Sequence, residues 1–500
     1  MSGPQDAIRT VLVVGGGIVG WSAAAALRRK MPWLTVTIVP QSVPASSLAD
    51  KMPCALPSIM GFHADLGLSE QDGVLRTGSS YRLGSLFSGW AKKQADYLHS
   101  YGVHGRPIGA ISFHLQWARL AASGAGAPFE HHAPAAVLAR AGRFAPPSSM
   151  PESLFAGFEY GLQLDVARYR HMMRAFALHC GVDERPGAVA SVALRDNGFI
   201  DQVTLEDGAP CRADLFLDCT GPAATLRSAI DDGREDWSGQ LLCDRILRAD
   251  GPAPTDLPLH DTVTAMPGGW RWRAATAERS LYGLCYASAF CDDATAARQL
   301  RAASGADASE APVAIAAGTR RAPWRGNCVA VGDAATMIEP LEWSNLHLAH
   351  SAIDRIIAMM PGADCAPVEL AEFNRQSYAE AIRVRDFVLL HYATSSRGEP
   401  FWRAAAGVTL PPSLDHSLRL FRERGRLPVY AEETFARDSW LAVLFGQGVL
   451  PRRIDPLAEA LPEKEVAQAM AGLRDAIDAA LLQFPTHADY LAAQTRQSAR

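Results

Sequence analysis

A glycine-rich turn near the amino terminus constrains the fold more than any other feature of the sequence. Residues 15–20 read Gly-Gly-Gly-Ile-Val-Gly and contain the pattern G-x-G-x-x-G. An apolar run at residues 11–14 precedes the turn, as expected for a buried parallel strand, and the Ala-rich residues 21–30 after it are typical of a helix. Because residues 34–39 read as a second strand, the sequence predicts a βαβ unit here.

The spacing of the three glycines predicts contact with a dinucleotide phosphate. Gly15 permits the tight turn, Gly17 lets the backbone approach a pyrophosphate at the helix amino terminus, and Gly20 lets helix and strand pack closely. An acidic residue that binds ribose is expected about 20 residues later. The second strand instead ends in Pro40-Gln41, and Gln41 is the predicted donor to a ribose hydroxyl. A glycine turn without a ligand is the alternative.

Strand patterns recur far from this unit and are followed by helices. Residues 202–205, 214–218 and 328–331 read as strands that can all join one sheet, with other material inserted between them. From about residue 345 the pattern is helical, with apolar residues at helical spacing over residues 346–360, 368–392 and 466–481. The fold class predicted is therefore α/β.

Composition excludes several classes of protein. The 500 residues suffice for two to four domains at roughly 100–200 residues each, or for one large enzyme. The net charge is −5 and no block of like charges stands out, so we expect no nucleic-acid or membrane partner. Nine cysteines without a C-x-x-C pair argue against a disulfide framework and against a metal site, and fit a reducing cytoplasm. We expect neither a signal peptide nor a membrane span.

Two further segments point to a flavin. Residues 214–221 read Asp-Leu-Phe-Leu-Asp-Cys-Thr-Gly and resemble the strand-plus-glycine segment beside the dinucleotide in FAD proteins, which places Gly221 at the cofactor. Residues 331–335, Val-Gly-Asp-Ala-Ala, resemble the Gly-Asp segment of flavin monooxygenases. That resemblance implies that Gly332 and Asp333 bind FAD, with the acid on the ribityl chain. The order of the three segments along the chain indicates a flavoprotein.

The family is indicated by a tryptophan-rich segment and a glutamate segment. Residues 269–273, Gly-Trp-Arg-Trp-Arg, resemble the W-x-W-x-I-P signature of flavin-dependent tryptophan halogenases, and residues 338–342, Ile-Glu-Pro-Leu-Glu, resemble their F-L-E-P-L-E-S-T segment. The similarity is collinear over essentially the whole chain, which is identified as a divergent member of that family. It implies a Rossmann-like FAD-binding module of the glutathione-reductase and flavin-monooxygenase type, with an inserted substrate sheet. Residues 1–360 are then the FAD module interleaved with the substrate region, and residues 361–500 a helical part packed on it in a single compact unit.

The resemblance also implies an oxidoreductase that uses FADH2, O2 and chloride or bromide. In the family, hypohalous acid reaches a lysine and a glutamate. Glu342 matches the glutamate, whereas Arg82 stands at the lysine position. A guanidinium stays charged, so a haloamine does not readily form on it. Arg82 is then predicted to hydrogen-bond hypohalous acid, a peroxide or a substrate carboxylate, or else to form a structural ion pair.

Other matched positions concern the halide, the flavin loop and the substrate. Ser344 and Asn345 stand where the family binds halide through backbone amides, although Asn345 replaces a glycine, and Trp343 replaces a serine. The family's G-x-G-E-A-T flavin loop corresponds to residues 50–55, Asp-Lys-Met-Pro-Cys-Ala, in which neither the glycines nor the acid are in the matching places. The three residues that match the family's substrate pocket, which implies an aromatic slot, are His99, Tyr101 and Trp440.

Three functions remain open from the sequence. The first is an FADH2-dependent halogenase acting on an indole or another aromatic substrate, either a small molecule or a peptide. The second is a flavin-dependent monooxygenase or oxidase without halogenation, favoured because Arg273-Ala274-Ala275 lacks the proline of W-x-W-x-I-P. The third is a non-catalytic homologue that has lost flavin. The family resemblance also implies a separate flavin reductase as partner, and we expect a homodimer.

Overall fold

The computed structural model describes residues 7–498. The strands in chain order are β1 Thr10–Val14, β2 Thr35–Val39, β3 Cys54–Ala55, β4 Ser80–Arg82, β5 Gly84–Ser88, β6 Tyr97–Ser100, β7 Gly161–Gln163, β8 Asp183–Glu184, β9 Val189–Leu194, β10 Ile200–Leu205, β11 Pro210–Cys211, β12 Leu215–Asp218, β13 Glu235–Asp236, β14 Arg245–Gly251, β15 His260–Met266, β16 Gly269–Ala275, β17 Ser280–Tyr286, β18 Val313–Ala314, β19 Gly318–Thr319, β20 Trp324–Arg325, β21 Cys328–Ala330 and β22 Thr336–Met337.

The helices in chain order are α1 Ile18–Lys30, α2 Ser58–Leu66, α3 Glu70–Val74, α4 Phe113–Ala122, α5 Pro134–Ala141, α6 Val166–His179, α7 Asp293–Ser304, α8 Ser344–Ala358, α9 Pro367–Ala393, α10 Pro400–Ala406, α11 Pro412–Arg424, α12 Arg437–Gly446, α13 Glu463–Leu481 and α14 His487–Ser498. The three helices predicted after residue 345 are confirmed as α8, α9 and α13. Across residues 7–498, none of these helices combines the length and the apolar character that a bilayer crossing requires.

The chain divides into two compact units of interleaved segments. The first, here called the nucleotide unit, contains residues 7–79, 164–245 and 312–383. The second, here called the aromatic unit, contains residues 80–163, 246–311 and 384–498. The predicted division at residue 360 stays a prediction.

A mostly parallel sheet forms the centre of the nucleotide unit, with strand order β20-β21-β12-β1-β2-β8, in which the edge strand β20 runs antiparallel to its neighbour. Strand β1 pairs in parallel with β2 and with β12, so that Val14 lies opposite both Val39 and Asp218. Because parallel strands end at the same edge, the loops after β1, β2 and β12 meet there. The βαβ prediction is confirmed, with α1 as the crossover helix, and this edge is where a nucleotide ligand binds in folds of this type.

One predicted sheet assignment was wrong. Strands β12 and β21 do join the parallel sheet with β1, but β10 lies instead in a separate antiparallel sheet of order β11-β10-β9. The cause is local, because the turn at residues 206–208 reverses the chain and pairs Val203 with Cys211. A short turn of this kind joins antiparallel neighbours, whereas a parallel neighbour needs a long crossover.

A mixed sheet forms the core of the aromatic unit, in which strands run in the order β14-β17-β16-β15-β5-β6. Strand β15 pairs in parallel with β5, and its other partner, β16, is antiparallel. Trp270 and Trp272 lie two residues apart on β16 and are both buried, since alternate residues of a strand share a face. Gly283 of β17 lies opposite Trp272, and a Cβ atom there would be 1.9 Å from the indole ring. The absence of a side chain at Gly283 is what admits the large ring.

Candidate active site

The glycine turn of the nucleotide unit has the geometry that its sequence demands. Gly15 follows β1 with a φ of +133°, and its N–H donates to the carbonyl of Val39 over 3.0 Å. A Cβ atom at Gly15 would be 2.2 Å from the carbonyl oxygen of Cys219, and one at Gly20 would be 2.0 Å from the carbonyl oxygen of Gly15. Side chains are excluded at both positions, so α1 begins directly against the ends of β1 and β12.

A side-chain carboxylate of the protein, that of Asp50, lies at the amino terminus of helix α1. The N–H of Val19, in the first turn of α1, donates to Asp50 Oδ1 over 2.8 Å, and Ser47 Oγ donates to Asp50 Oδ2 over 2.7 Å. A Cβ atom at Gly17 would be 2.1 Å from Asp50 Oδ1, so the carboxylate lies directly on the glycine backbone. Burial raises the pKa of Asp50. The place predicted for a pyrophosphate is thus occupied by Asp50.

The Gly-Asp segment contacts the same stretch of chain that carries Ser47 and Asp50. Asp333 follows β21 in a single 3-10 turn and is buried, and its Oδ2 accepts the N–H of Ala49 over 2.8 Å. Among residues 7–498, Asp333 Oδ1 has no hydrogen-bond partner. Burial raises the pKa of Asp333 to about 7. Ala49 also approaches Gly332, and a Cβ atom at Gly221 would be 2.7 Å from Ser47 Oγ.

Gln41 is engaged with neighbouring backbone. Its carbonyl accepts the N–H of Gly16 over 2.9 Å, and its side-chain oxygen accepts the N–H of Val189 over 3.4 Å. A cavity of about 400 Å³ lies beside Gln41 at the carboxyl end of β2. The sequence did not predict this cavity. The lining residues are Gly16, Trp21, Pro40, Ala167, Arg170, His171, Arg174 and Glu184. The i,i+4 pair Arg170 and Arg174 on helix α6 is the sequence signal that marks this basic wall.

These observations test whether FAD fits the residues present. The helix terminus suits a phosphate and the free oxygen of Asp333 suits a hydroxyl donor. In the conformation described, however, Asp50 and Ser47 fill the space that the cofactor requires. The groups that face a dinucleotide are therefore present, but FAD does not fit until residues 47–50 move.

The glutamate segment forms a strained turn into helix α8. Glu342 and Trp343 are buried and have φ values of +65° and +61°, a region that non-glycine residues rarely adopt. Ser344 and Asn345 follow as the first residues of α8, so Asn345 takes ordinary helical backbone where the family resemblance has glycine. Within the described chain, Ser344 Oγ and Asn345 Oδ1 are buried without hydrogen-bond partners, although Asn345 Nδ2 donates to Ile338 over 2.8 Å. Strain of this kind is concentrated at functional sites.

Arg82 lies in a buried ion pair of the aromatic unit. Its Nε donates to Asp261 Oδ1 over 2.6 Å, and neither side chain has any exposed surface. Arg82 also donates to the hydroxyls of Tyr101 and Ser85, and Ser85 Oγ donates to Asp261. No sequence pattern indicated Asp261 as a partner, because it is separated from Arg82 by 179 residues.

The three residues predicted to bind substrate belong to one aromatic cluster. His99 of β6 lies with its ring centroid 5.9 Å from that of Tyr101 and 5.6 Å from that of Phe387. Phe387 is also 5.4 Å from Trp440 of α12 and stacks on Phe435 at 4.0 Å. Phe387 therefore joins the predicted residues, and neither it nor Phe435 was singled out in the sequence.

Comparison with known families decides the identity. The family model described as tryptophan halogenase matches residues 10–463. The chain belongs to the tryptophan halogenase family. The members of this family are flavin-dependent halogenases, which are enzymes that use FADH2 with O2 and a halide. The predictions of family, cofactor and enzyme class are confirmed at this level.

Individual relatives match over nearly their full lengths. BrvH, a flavin-dependent halogenase from Brevundimonas sp. BAL3, is 32% identical with a TM-score of 0.92, covering 97% of this chain and 99% of that chain. Xcc4156, a flavin-dependent halogenase from Xanthomonas campestris, is 32% identical with a TM-score of 0.91, covering 98% of both. Tryptophan 7-halogenase RebH from Lentzea aerocolonigenes is 26% identical, covering 95% of this chain and 96% of that protein. The α/β fold predicted for a tryptophan halogenase is confirmed.

Proposed function

We propose that this protein is an FADH2-dependent halogenase that acts on an indole or another aromatic substrate. The observation that carries the proposal is the buried turn at Glu342 and Trp343, with strained backbone immediately before α8. The family match over residues 10–463 supports the same chemistry. Reduced FAD, when bound, would supply the electrons that reduce O2. The reduced oxygen would in turn oxidise a halide.

The roles proposed for the chain's own residues follow from their surroundings. The amino terminus of α8 carries partial positive charge, which favours a halide beside the backbone of Ser344 and Asn345. Buried Glu342 positions the electrophile and stabilises the positive ring that forms before the aromatic C–H proton leaves. The cluster of His99, Tyr101 and Trp440 is proposed to bind an aromatic ring, because such rings pair favourably in edge-to-face and offset arrangements.

The second candidate function is oxygen transfer without halogenation. Arg82 favours it, because the guanidinium that stands at the lysine position is held by Asp261 and offers no amine to carry a halogen. Oxygen transfer needs no such carrier. In this case Arg82 is a structural cation, and the aromatic substrate gains oxygen.

The test is product analysis with the full chain. Purified protein is incubated with FAD, NADH, a flavin reductase, O2, bromide and a panel of indoles, phenols and tryptophan-containing peptides. A brominated product, formed with wild type and lost at least a hundredfold in Glu342→Gln, is expected. A hydroxylated product would replace the proposal by the second candidate, and reduced FAD binding without any product would contradict both. Arg82→Lys is expected to raise bromination, because it returns an amine to that position.

Partners and location extend the proposal. Halogenases of this family act on aromatic substrates and need a flavin reductase. A homodimer stays a prediction, checked by the mass of the protein in solution. All nine cysteines lie in the described part of the chain and none forms a disulfide there, which supports the proposed cytoplasmic location.

A further inference from the structure

We propose that residues 47–50 are an internal occupant of the dinucleotide site, and that Asp50 sets the affinity for FAD by competing with its pyrophosphate. The inference rests on the proposed flavin chemistry and concerns how that site opens. Four of the positions predicted to bind the cofactor, namely Gly17, Gly221, Gly332 and Asp333, are approached by this one segment.

The first step of the argument is the identity of the donor. The N–H of Val19 donates to Asp50 Oδ1, and this amide belongs to the first turn of α1, where the backbone donors of a nucleotide-binding helix face a phosphate. A carboxylate and a phosphate oxygen carry the same charge and accept the same hydrogen bond. Because the carboxylate lies against Gly17, both groups cannot occupy the site together.

The second step is that the segment is held at both ends of the cofactor site. Asp333, predicted to bind the ribityl chain, accepts the N–H of Ala49. Ser47 donates to Asp50 and lies on Gly221. One displacement of residues 47–50 therefore frees the helix terminus and the Asp333 carboxylate at once.

The third step is that a cation remains for the incoming phosphate. Burial raises the pKa of Asp50, and the positive charge of Arg170 on α6 opposes that shift. Arg170 also lines the 400 Å³ cavity with Gly16 and Pro40, beside the glycine turn. When Asp50 moves away, Arg170 and the amino terminus of α1 no longer have the carboxylate beside them. The phosphate of an incoming ligand then supplies the negative charge.

The experiment measures FAD affinity of the full chain. Since hydrogen bonds to charged groups are among the stronger ones, removing the competitor is expected to tighten the Kd for FAD about tenfold or more in Asp50→Ala, with Asp50→Asn intermediate. The matched control is Asp292→Asn. Asp292 also accepts a backbone amide at a helix amino terminus, that of Thr295 over 2.7 Å, but it caps α7 in the aromatic unit. The control should bind FAD as wild type does.

A second measurement needs no variant and covers the case in which Asp50→Ala does not fold. Hydrogen exchange of the Ala49 amide is followed in wild type with and without FAD. We expect exchange to rise at least several-fold when FAD binds, because the hydrogen bond from Ala49 N–H to Asp333 is lost. Unchanged or slower exchange would overturn the inference.

The outcomes separate this inference from the proposed function. Tighter FAD binding by Asp50→Ala without any halogenated product supports the inference and contradicts the function. Halogenation by wild type, with equal FAD affinity in wild type and both Asp50 variants, overturns the inference and leaves the function standing. Absence of FAD binding in all proteins contradicts both.

Discussion

At the scale of single residues, Arg82 shows why a substitution has to be interpreted with its partner. The sequence places an arginine where the family resemblance has lysine, and the structure pairs it with Asp261 at full burial. Removing one partner of a buried pair leaves an uncompensated charge, whereas replacing both with apolar groups is often neutral. Arg82 therefore concerns the stability of the fold as well as the proposed chemistry, because its removal leaves Asp261 unpaired.

Arg82→Met is expected to lower the free energy of unfolding by about 3–5 kcal/mol, because Asp261 then stays buried without its cation. The double variant Arg82→Met with Asp261→Leu should recover most of that loss. Urea unfolding followed by circular dichroism measures both. A loss below about 1 kcal/mol in the single variant would contradict the burial of Asp261 without another cation.

His63 gives a prediction about pH at the same scale. Burial lowers the pKa of His63 to about 4, and its Nε2 lies 2.7 Å from the hydroxyl of Tyr169. Between about pH 6.5 and pH 4 the unfolded chain binds this proton and the folded chain does not, so stability falls as the pH falls through that window. His63→Gln should weaken this pH dependence of the urea midpoint.

The control for His63 is His416→Gln, because the side chain of His416 is exposed. It should leave the pH dependence unchanged. Equal pH profiles for wild type and His63→Gln would show that His63 does not titrate differently in the folded and unfolded chains.

At the scale of elements, local sequence predicts helices and strands well and their partners less well. The apolar run of β1 and the alanines of α1 were sufficient to predict a strand and a helix, because both elements are buried on all sides. Strand β10 was assigned to the wrong sheet because period-2 patterning does not specify which strand lies beside it. The backbone strain at Glu342 and Trp343 could not be predicted from their residue types. Glycine is the usual residue at such φ values, and neither position is a glycine.

The packing of β16 on β17 can be tested through one glycine. Gly283→Ala should destabilise the fold by about 1–3 kcal/mol, because its Cβ would overlap the buried indole of Trp272. Gly61→Ala in α2 is the matched control. In the described chain no atom beyond the two neighbouring residues and the local helix backbone lies within 4 Å of a Cβ at Gly61, so a gain of about 0.5–1 kcal/mol is expected. Thermal unfolding measures both, and equal effects would contradict the overlap.

At the scale of the whole molecule, the sequence predicted the fold class and family because its motifs are collinear over the chain, and the structures of relatives agree. The candidate site was less predictable. Asp50 is 31 residues from Val19, and Asp261 is 179 residues from Arg82, so neither contact leaves a local pattern. Contacts of this kind depend on tertiary packing, which motif spacing does not encode.

Thiol accessibility tests the packing of the whole chain. Eight of the nine cysteines are buried and Cys180 is half-buried. Burial also raises the pKa of Cys219 and Cys328 well above the ordinary thiol value, so their reactive thiolate forms are scarce. Native protein should react rapidly with an aromatic disulfide reagent at about one thiol, and at all nine after denaturation. Three or more rapid thiols in the native protein would contradict the described packing.

The contact between Gly17 and Asp50 has a consequence for how the two positions can change. The clashes at Gly15 and Gly20 are with backbone atoms, which no second mutation removes, whereas the nearest contact at Gly17 is a side chain. The tolerance of position 17 is therefore conditional on position 50. As far as folding is concerned, alanine at 17 should be excluded beside aspartate and admitted beside glycine at 50, so the two sites are epistatic for stability.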